Sequence, residues 1–167
     1  YSWIKELLPG LPPPEETARI LTMRGFEVED MASPGEAIQD IVIGKILEMK
    51  PHPNADKLTV CRVNDGGQEY GIVCGARNMK AGDCVALARV GVTLPGNFTI
   101  EKRKLRGESS EGMLCSAREL GLGEEHSGIM ILPGDTPLGE RLIDRLGLNE
   151  ITFEINVTPN RPDALCA

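Results

Sequence analysis

The sequence predicts an α+β chain whose middle is a small all-β barrel or sandwich. Three observations carry that expectation. Between Ile41 and Leu132 the apolar residues fall into short runs separated by Gly, Pro and Asn-Asp turns. The longer helical patterns lie outside that stretch, near Pro14–Gly25 and Pro137–Gly147. The charge is also partitioned: within a net charge of −7, residues 1–40 hold 3 basic and 8 acidic side chains, residues 124–167 again 3 and 8, and residues 41–123 hold 12 and 9. A mildly basic centre between two acidic flanks reads as two units, the central one inserted into the other. The expected divisions are 1–40, 41–146 and 147–167.

In order, Ser2 to Leu8 is a short turn stopped by Pro9-Gly10 and Pro12-Pro13-Pro14. Pro14-Glu15-Glu16 opens a helix with Pro at its first position and acids in its first turn, and Arg24-Gly25 ends it. Phe26 to Met31 alternates as a half-exposed strand, and Ser33-Pro34-Gly35 is loop. Ile41–Leu47 is the first central strand, and Pro51-His52-Pro53-Asn54 is read as loop because proline cannot donate to a ladder. Leu58–Val63, the turn Asn64-Asp65-Gly66-Gly67 and Tyr70–Cys74 make a hairpin. Cys84–Val90 is a fourth strand, and Leu94-Pro95-Gly96 turns the chain into a basic strand, Phe98–Lys104. Met113–Cys115 returns to the core, Ala117–Leu120 is one helical turn closed by Gly121, and Ile129–Leu132 is a last short central strand. Pro137–Leu146 has helical spacing at Leu138, Leu142, Ile143 and Leu146. Ile151–Val157 alternates as a strand suited to pair with Phe26–Met31, before a turn at Thr158–Pro162.

The chain has no run of about 18 apolar residues and no signal-peptide pattern. It begins without an initiator Met and ends at Asp163–Ala167 without a cap, so it reads as a fragment of a longer protein. Five cysteines at wide spacings, with no Cys-x-x-Cys, suit a reducing, cytoplasmic compartment better than a disulfide framework. With His52 and His126 as its only histidines, the chain offers few zinc ligands. No nucleophile–base pairing, glycine-rich phosphate loop before a helix, or paired-carboxylate spacing stands out, so no catalytic residue is expected.

The richest stretch is Lys102 to Ser116. Lys102, Arg103, Lys104 and Arg106 fall within five positions, followed by the turn residues Gly107, Ser109, Ser110 and Gly112. A cluster of this kind is either a solvated strand face or a set of phosphate contacts. Lys57, Arg77 and Lys80 lie in or near loops that extend the patch, and Asn78 suits a base edge or a turn cap. Aromatics make up 4% of the chain, which leaves Phe98 and Tyr70 to stack on a base.

These residues carry a resemblance. Pro51-His52-Pro53-Asn54-Ala55-Asp56-Lys57-Leu58, Ile72–Ala76, Leu94-Pro95-Gly96, Lys104-Leu105-Arg106-Gly107 and Ser110–Ser116 resemble, in order and spacing, the tRNA-binding OB-fold domain. The Phe26-Glu27-Val28-Glu29 flank and Val157-Thr158-Pro159-Asn160-Arg161-Pro162-Asp163 are similar to the N-terminal region of the bacterial-type phenylalanyl-tRNA synthetase β-subunit family. The resemblance implies a five-stranded OB barrel inserted into a small, partly present α+β domain. It further implies a class II α2β2 ligase that uses ATP and Mg2+ to attach phenylalanine to its tRNA. In that family the catalytic site lies on the α subunit, and editing and anticodon contact lie in later β-subunit domains. No cofactor and no catalytic residue is therefore expected in this fragment. The implied partners are phenylalanine tRNA or another RNA and the α subunit, in the cytoplasm, with no membrane. On the barrel motifs Lys57, Arg77, Asn78, Lys104, Arg106, Ser110 and Ser116 become candidate RNA contacts beside Lys80, Phe98, Lys102 and Arg103, with Gly75, Gly107 and Gly112 structural. The alternative is a scaffold module of the synthetase that touches no RNA.

Overall fold

A computed structural model describes residues 1–159, so Asn160–Asp163 and Cys166 lie outside the described residues. In chain order the elements begin with α1 (Ser2–Leu7), α2 (Pro14–Met23) and β1 (Glu27–Ala32). There follow β2 (Val42–Pro51), β3 (Thr59–Asn64), β4 (Glu69–Cys74), β5 (Cys84–Arg89), β6 (Thr93–Leu94) and β7 (Phe98–Thr99). The rest are β8 (Arg103–Leu105), β9 (Glu108–Ser110), β10 (Gly112–Leu114), β11 (Ile131–Leu132), α3 (Leu142–Leu146) and β12 (Thr152–Asn156). The chain divides into two compact units: Tyr1–Glu36 with the chain from Gly147 onward, and Ala37–Leu146.

In the first unit α2 starts on Pro14 and carries Glu15 and Glu16 in its first turn, where acids complement the helix dipole. It ends in a Schellman motif. Gly25 takes φ +89°, its N–H reaches the Thr22 carbonyl at 3.1 Å, and Phe26 N–H reaches that of Leu21 at 3.0 Å. The chain leaves this cap directly into β1, which pairs antiparallel with β12 from Glu27↔Asn156 to Ala32↔Thr152, with one irregularity between Val28 and Asp30. The Tyr1 ring stands edge-on to Phe153, 6.1 Å between centroids.

The second unit is a nearly closed five-stranded barrel, in the order β10-β5-β2-β3-β4, with β11 added to β5. β2 makes closure feasible. Its first half, Val42–Lys45, pairs with β5, and Lys45–Pro51 pairs with β3, with a register shift between Ile46 and Glu48 that bends the strand. Gly44, in the half of β2 before that bend, is closely packed: a Cβ there would stand 2.8 Å from Val63 Cγ1. The barrel closes between β4 and the β9–β10 segment through two hydrogen bonds, Glu111 N–H to Gly71 O at 2.8 Å and Val73 N–H to Ser110 Oγ at 3.1 Å. Ile46, Cys61, Val63, Ile72, Val85, Leu87 and Leu114 fill the interior.

The segment expected as a short turn at Ser2–Leu8 is the helix α1, and the last central strand is shorter than expected, Ile131–Leu132; three further differences bear on the barrel. The loop expected at Pro51–Asn54 begins one residue late, because Pro51 still pairs with Thr59 at the end of β2, where its missing N–H costs nothing. The single basic strand Phe98–Lys104 is broken. Phe98–Thr99 folds back on β6, Ile100 turns into the core, and Arg103–Leu105 opens a separate hairpin with β9. Of the helix expected over Pro137–Leu146 only Leu142–Leu146 forms. Backbone groups of β2 and of Ile41 just before it capture the chain up to the start of α3: Gly139 N–H bonds Ile43 O at 2.8 Å, Ile43 N–H bonds Glu140 O at 2.9 Å, and Leu142 N–H bonds Ile41 O at 2.9 Å.

Gly139 makes that capture possible. Its φ is +78°, and a Cβ would stand 2.6 Å from the Asp65 carbonyl oxygen. Gly139→Ala therefore adds backbone strain to a steric clash and is expected to cost about 3 kcal/mol. A chemical-denaturation midpoint equal to that of the parent chain would refute this.

Candidate nucleic-acid interface

The barrel carries an open groove of about 760 Å³. Its floor is β4 and β10 with the backbone of Gly75 and Ala76; one wall is formed by Phe98, Arg103 and Leu105, the other by Arg118, His126 and Ser127.

The cationic wall is a hairpin, β8 against β9, paired Arg103↔Ser110, Lys104↔Ser109 and Leu105↔Glu108. Its two-residue loop is Arg106-Gly107, at φ 48° and 109°. Positive φ at both positions is the geometry of a type I′ turn, which matches the twist of the flanking strands. Gly takes that conformation freely, whereas Arg106 bears a Cβ penalty there. Strand alternation then turns Arg103 and Leu105 into the groove and leaves Lys104 outside its lining. The Arg103 guanidinium lies 5.6 Å from the centroid of the Phe98 ring, which is 45% exposed. Lys102 pairs with Glu111 at 2.5 Å and Arg103 with Glu101 at 3.7 Å, all four side chains being solvent-exposed. Pairs of this kind contribute at most about 1 kcal/mol, so an incoming phosphate can displace them. Lys104 has no ion-pair partner among the described residues.

The other residues singled out by sequence divide into two groups. Lys57, Arg77 and Lys80 are exposed on loops and do not line the groove. Asn78, Ser110 and Ser116 have their polar atoms committed within the barrel. Asn78 Nδ2 donates to Ile129 O at 2.8 Å and its Oδ1 accepts from Ile129 N–H at 3.1 Å, so it holds the far wall. Ser110 Oγ donates to Gly112 O at 3.0 Å while closing the barrel to Val73. Ser116 Oγ donates to Glu119 Oε2 at 2.8 Å, and both serines are buried. These three frame the groove. The far wall itself, Arg118, His126 and Ser127, escaped the sequence reading; its one signal was the glycine-rich run Gly121–Gly128, which marks a loop but not where it folds.

Burial raises the thiols of Cys61 and Cys115 to about 12, and Cys74, on the groove floor, is raised by burial as well. Among the described residues no three His, Cys, Asp or Glu side chains converge as metal ligands, and no helix is long and apolar enough to cross a membrane.

The family described as "Putative tRNA binding domain" matches residues 41–141, more than half of the chain. The chain belongs to that family. Beyond the tRNA-binding domain, the likeness extends to both flanks. The chain is 52% identical over 165 residues to the phenylalanine–tRNA ligase β subunit of Geobacter metallireducens, covering 99% of this chain and 21% of that protein. It is 46% identical over 165 residues to the same subunit of Fusobacterium nucleatum, covering 98% and 21%. The chain thus spans about a fifth of the length of the curated relatives it matches. Among solved structures, a MetRS-related protein from Pyrococcus horikoshii aligns with a TM-score of 0.46 and 21% identity, over 61% of this chain and 87% of that one.

Proposed function

We propose that this chain is a non-catalytic, tRNA-contacting part of a phenylalanine–tRNA ligase β subunit. The observation that carries the reading is the groove beside the cationic hairpin: Arg103 over one stackable aromatic, Phe98, on one wall and Arg118 on the other, with Glu101 and Glu119 also in the lining and Lys102, Lys104 and Arg106 exposed just outside it. Its apolar floor suits the face of an unpaired base better than a duplex, with phosphates along the hairpin. The names of the relatives, each a phenylalanine–tRNA ligase β subunit, and the family's tRNA-binding description support the choice of RNA.

In the whole enzyme, ATP and Mg2+ would drive the attachment of phenylalanine, with an α subunit completing a class II α2β2 ligase. We assign that chemistry to the rest of the ligase, because this chain matches only about a fifth of the relatives' length. The four described cysteines are free thiols, in keeping with the cytoplasm.

The test is titration of the chain against deacylated tRNA and against a fully paired RNA duplex, with Phe98→Ala alongside. Tighter binding to tRNA, and a roughly tenfold loss in the Phe98 variant, is the expected result for one stacked base. If neither RNA binds even at low salt, the groove is a surface of a scaffold module, and the RNA reading falls.

A further inference from the structure

The cationic hairpin is short, solvent-exposed and turned through an unfavourable Arg106 conformation, so its pose needs an anchor outside its own three residue pairs. At its base it is tied to β4 by Glu111 and Ser110. At its tip it meets the loop that follows β2. His52 is 5% exposed and lies outside the groove lining. Asn54 N–H donates to its Nδ1 at 3.0 Å, so the ring proton resides on Nε2, which donates to Leu105 O at 2.9 Å. Asn54 Nδ2 donates to the next carbonyl, Arg106 O, at 3.1 Å, and the Arg106 guanidinium reaches back to Asn54 O at 3.5 Å. The first carbonyl precedes the tight turn and the second lies within it.

We propose that His52 is a positioning residue for tRNA binding: its ring, oriented by Asn54, clamps the hairpin tip and holds Arg103, Lys104 and Arg106 in their binding pose. The proposal rests on the tRNA reading of the groove. An imidazole suits the role because one ring atom accepts from its own loop while the opposite one donates across 53 positions of chain.

The experiment compares tRNA affinity of the 167-residue chain with that of His52→Ala, His52→Gln and Asn54→Ala. Each His52 substitution is also made in a chain whose Lys102, Arg103, Lys104 and Arg106 are neutralised. His52→Ala is expected to weaken binding about fivefold, on the scale of one hydrogen bond. His52→Gln, whose amide nitrogen can reach the same carbonyl, recovers most of the loss. In the neutralised chain the His52 substitutions cost nothing further, because a residue acting through the cations has nothing left to position. Amide exchange at Leu105 and Arg106 rises in the alanine variant. Asn54→Ala, at an exposed position, gives a smaller loss of the same sign and remains informative if His52→Ala does not fold. Equal affinity of all the variants, or a His52 effect that persists in full in the neutralised chain, overturns the clamp while leaving the tRNA reading in place. A parent chain that binds no tRNA overturns both.

Discussion

Replacing Lys102, Arg103, Lys104 and Arg106 together by glutamine is expected to weaken tRNA binding about a hundredfold at low salt and to make its salt dependence shallower by about three in log–log slope. The slope carries the information. Each cation that meets a phosphate of an unpaired strand releases about 0.7 of a counterion, so four lost contacts remove roughly that sum. The four need not contribute equally. Lys102 and Arg103 already face Glu111 and Glu101, whereas no described acid pairs with Lys104 or Arg106, so the single substitutions Lys104→Gln and Arg106→Gln should each exceed Lys102→Gln. None of the four is buried, and the barrel core lies elsewhere, so the thermal midpoint should move little. Parallel salt plots for parent and variant would show that the patch meets solvent and not phosphate.

Loss of the Asp65 carboxylate is expected to destabilise the barrel by about 3 kcal/mol. Asp65 occupies the turn between β3 and β4 and is 5% exposed. Its Oδ1 accepts from Gly67 N–H at 2.9 Å and Gln68 N–H at 2.8 Å, and its Oδ2 accepts from Tyr70 Oη at 2.9 Å and pairs with Arg89 at 2.6 Å. Burial pushes its pKa up, yet the backbone donors, Tyr70 and Arg89 together hold it below the ordinary carboxylate value. The sign follows. A carboxyl held low when folded binds its proton more readily when unfolded, so its stabilisation is complete above about pH 4 and fades as pH falls through the folded value. Asp65→Asn should therefore lower the midpoint at neutral pH while narrowing the difference between pH 7 and pH 3. A variant that loses as much stability on acidification as its parent would exclude Asp65 as the acid-sensitive group.

The β texture was legible because its signals are local. Alternation over Thr59–Asn64, the Asn64–Gly67 turn and the complementary patterns of β1 and β12 each depend on neighbours in sequence, and the strands formed and paired accordingly. The errors arose where a distant backbone intervened. Leu138, Leu142, Ile143 and Leu146 have helical spacing, but β2 claims the first part of that segment, which no periodicity can reveal. The basic run broke because Ile100 is needed in the core, between charges that are not. At the groove, the cations could be read from composition. Whether Asn78, Ser110 and Ser116 face a ligand or the barrel could not, since a polar side chain carries the same donors and acceptors in either role. His52 was hidden for a related reason: its partner, Leu105 O, is a backbone atom and leaves no mark on the sequence.

The seam between β4 and the β9–β10 segment also orders the assembly of the barrel in time. β2, β3 and β4 are consecutive and joined by short connections, so their ladder can form with little loop entropy. Sealing the seam brings Val73 to Ser110 across 37 positions, and only after β5 has docked on β2 and carried β10 with it. Closure is thus expected after the rate-limiting barrier. Ser110→Ala should accelerate unfolding and leave the refolding rate nearly unchanged, whereas a slowed refolding limb would place the seam in the nucleus.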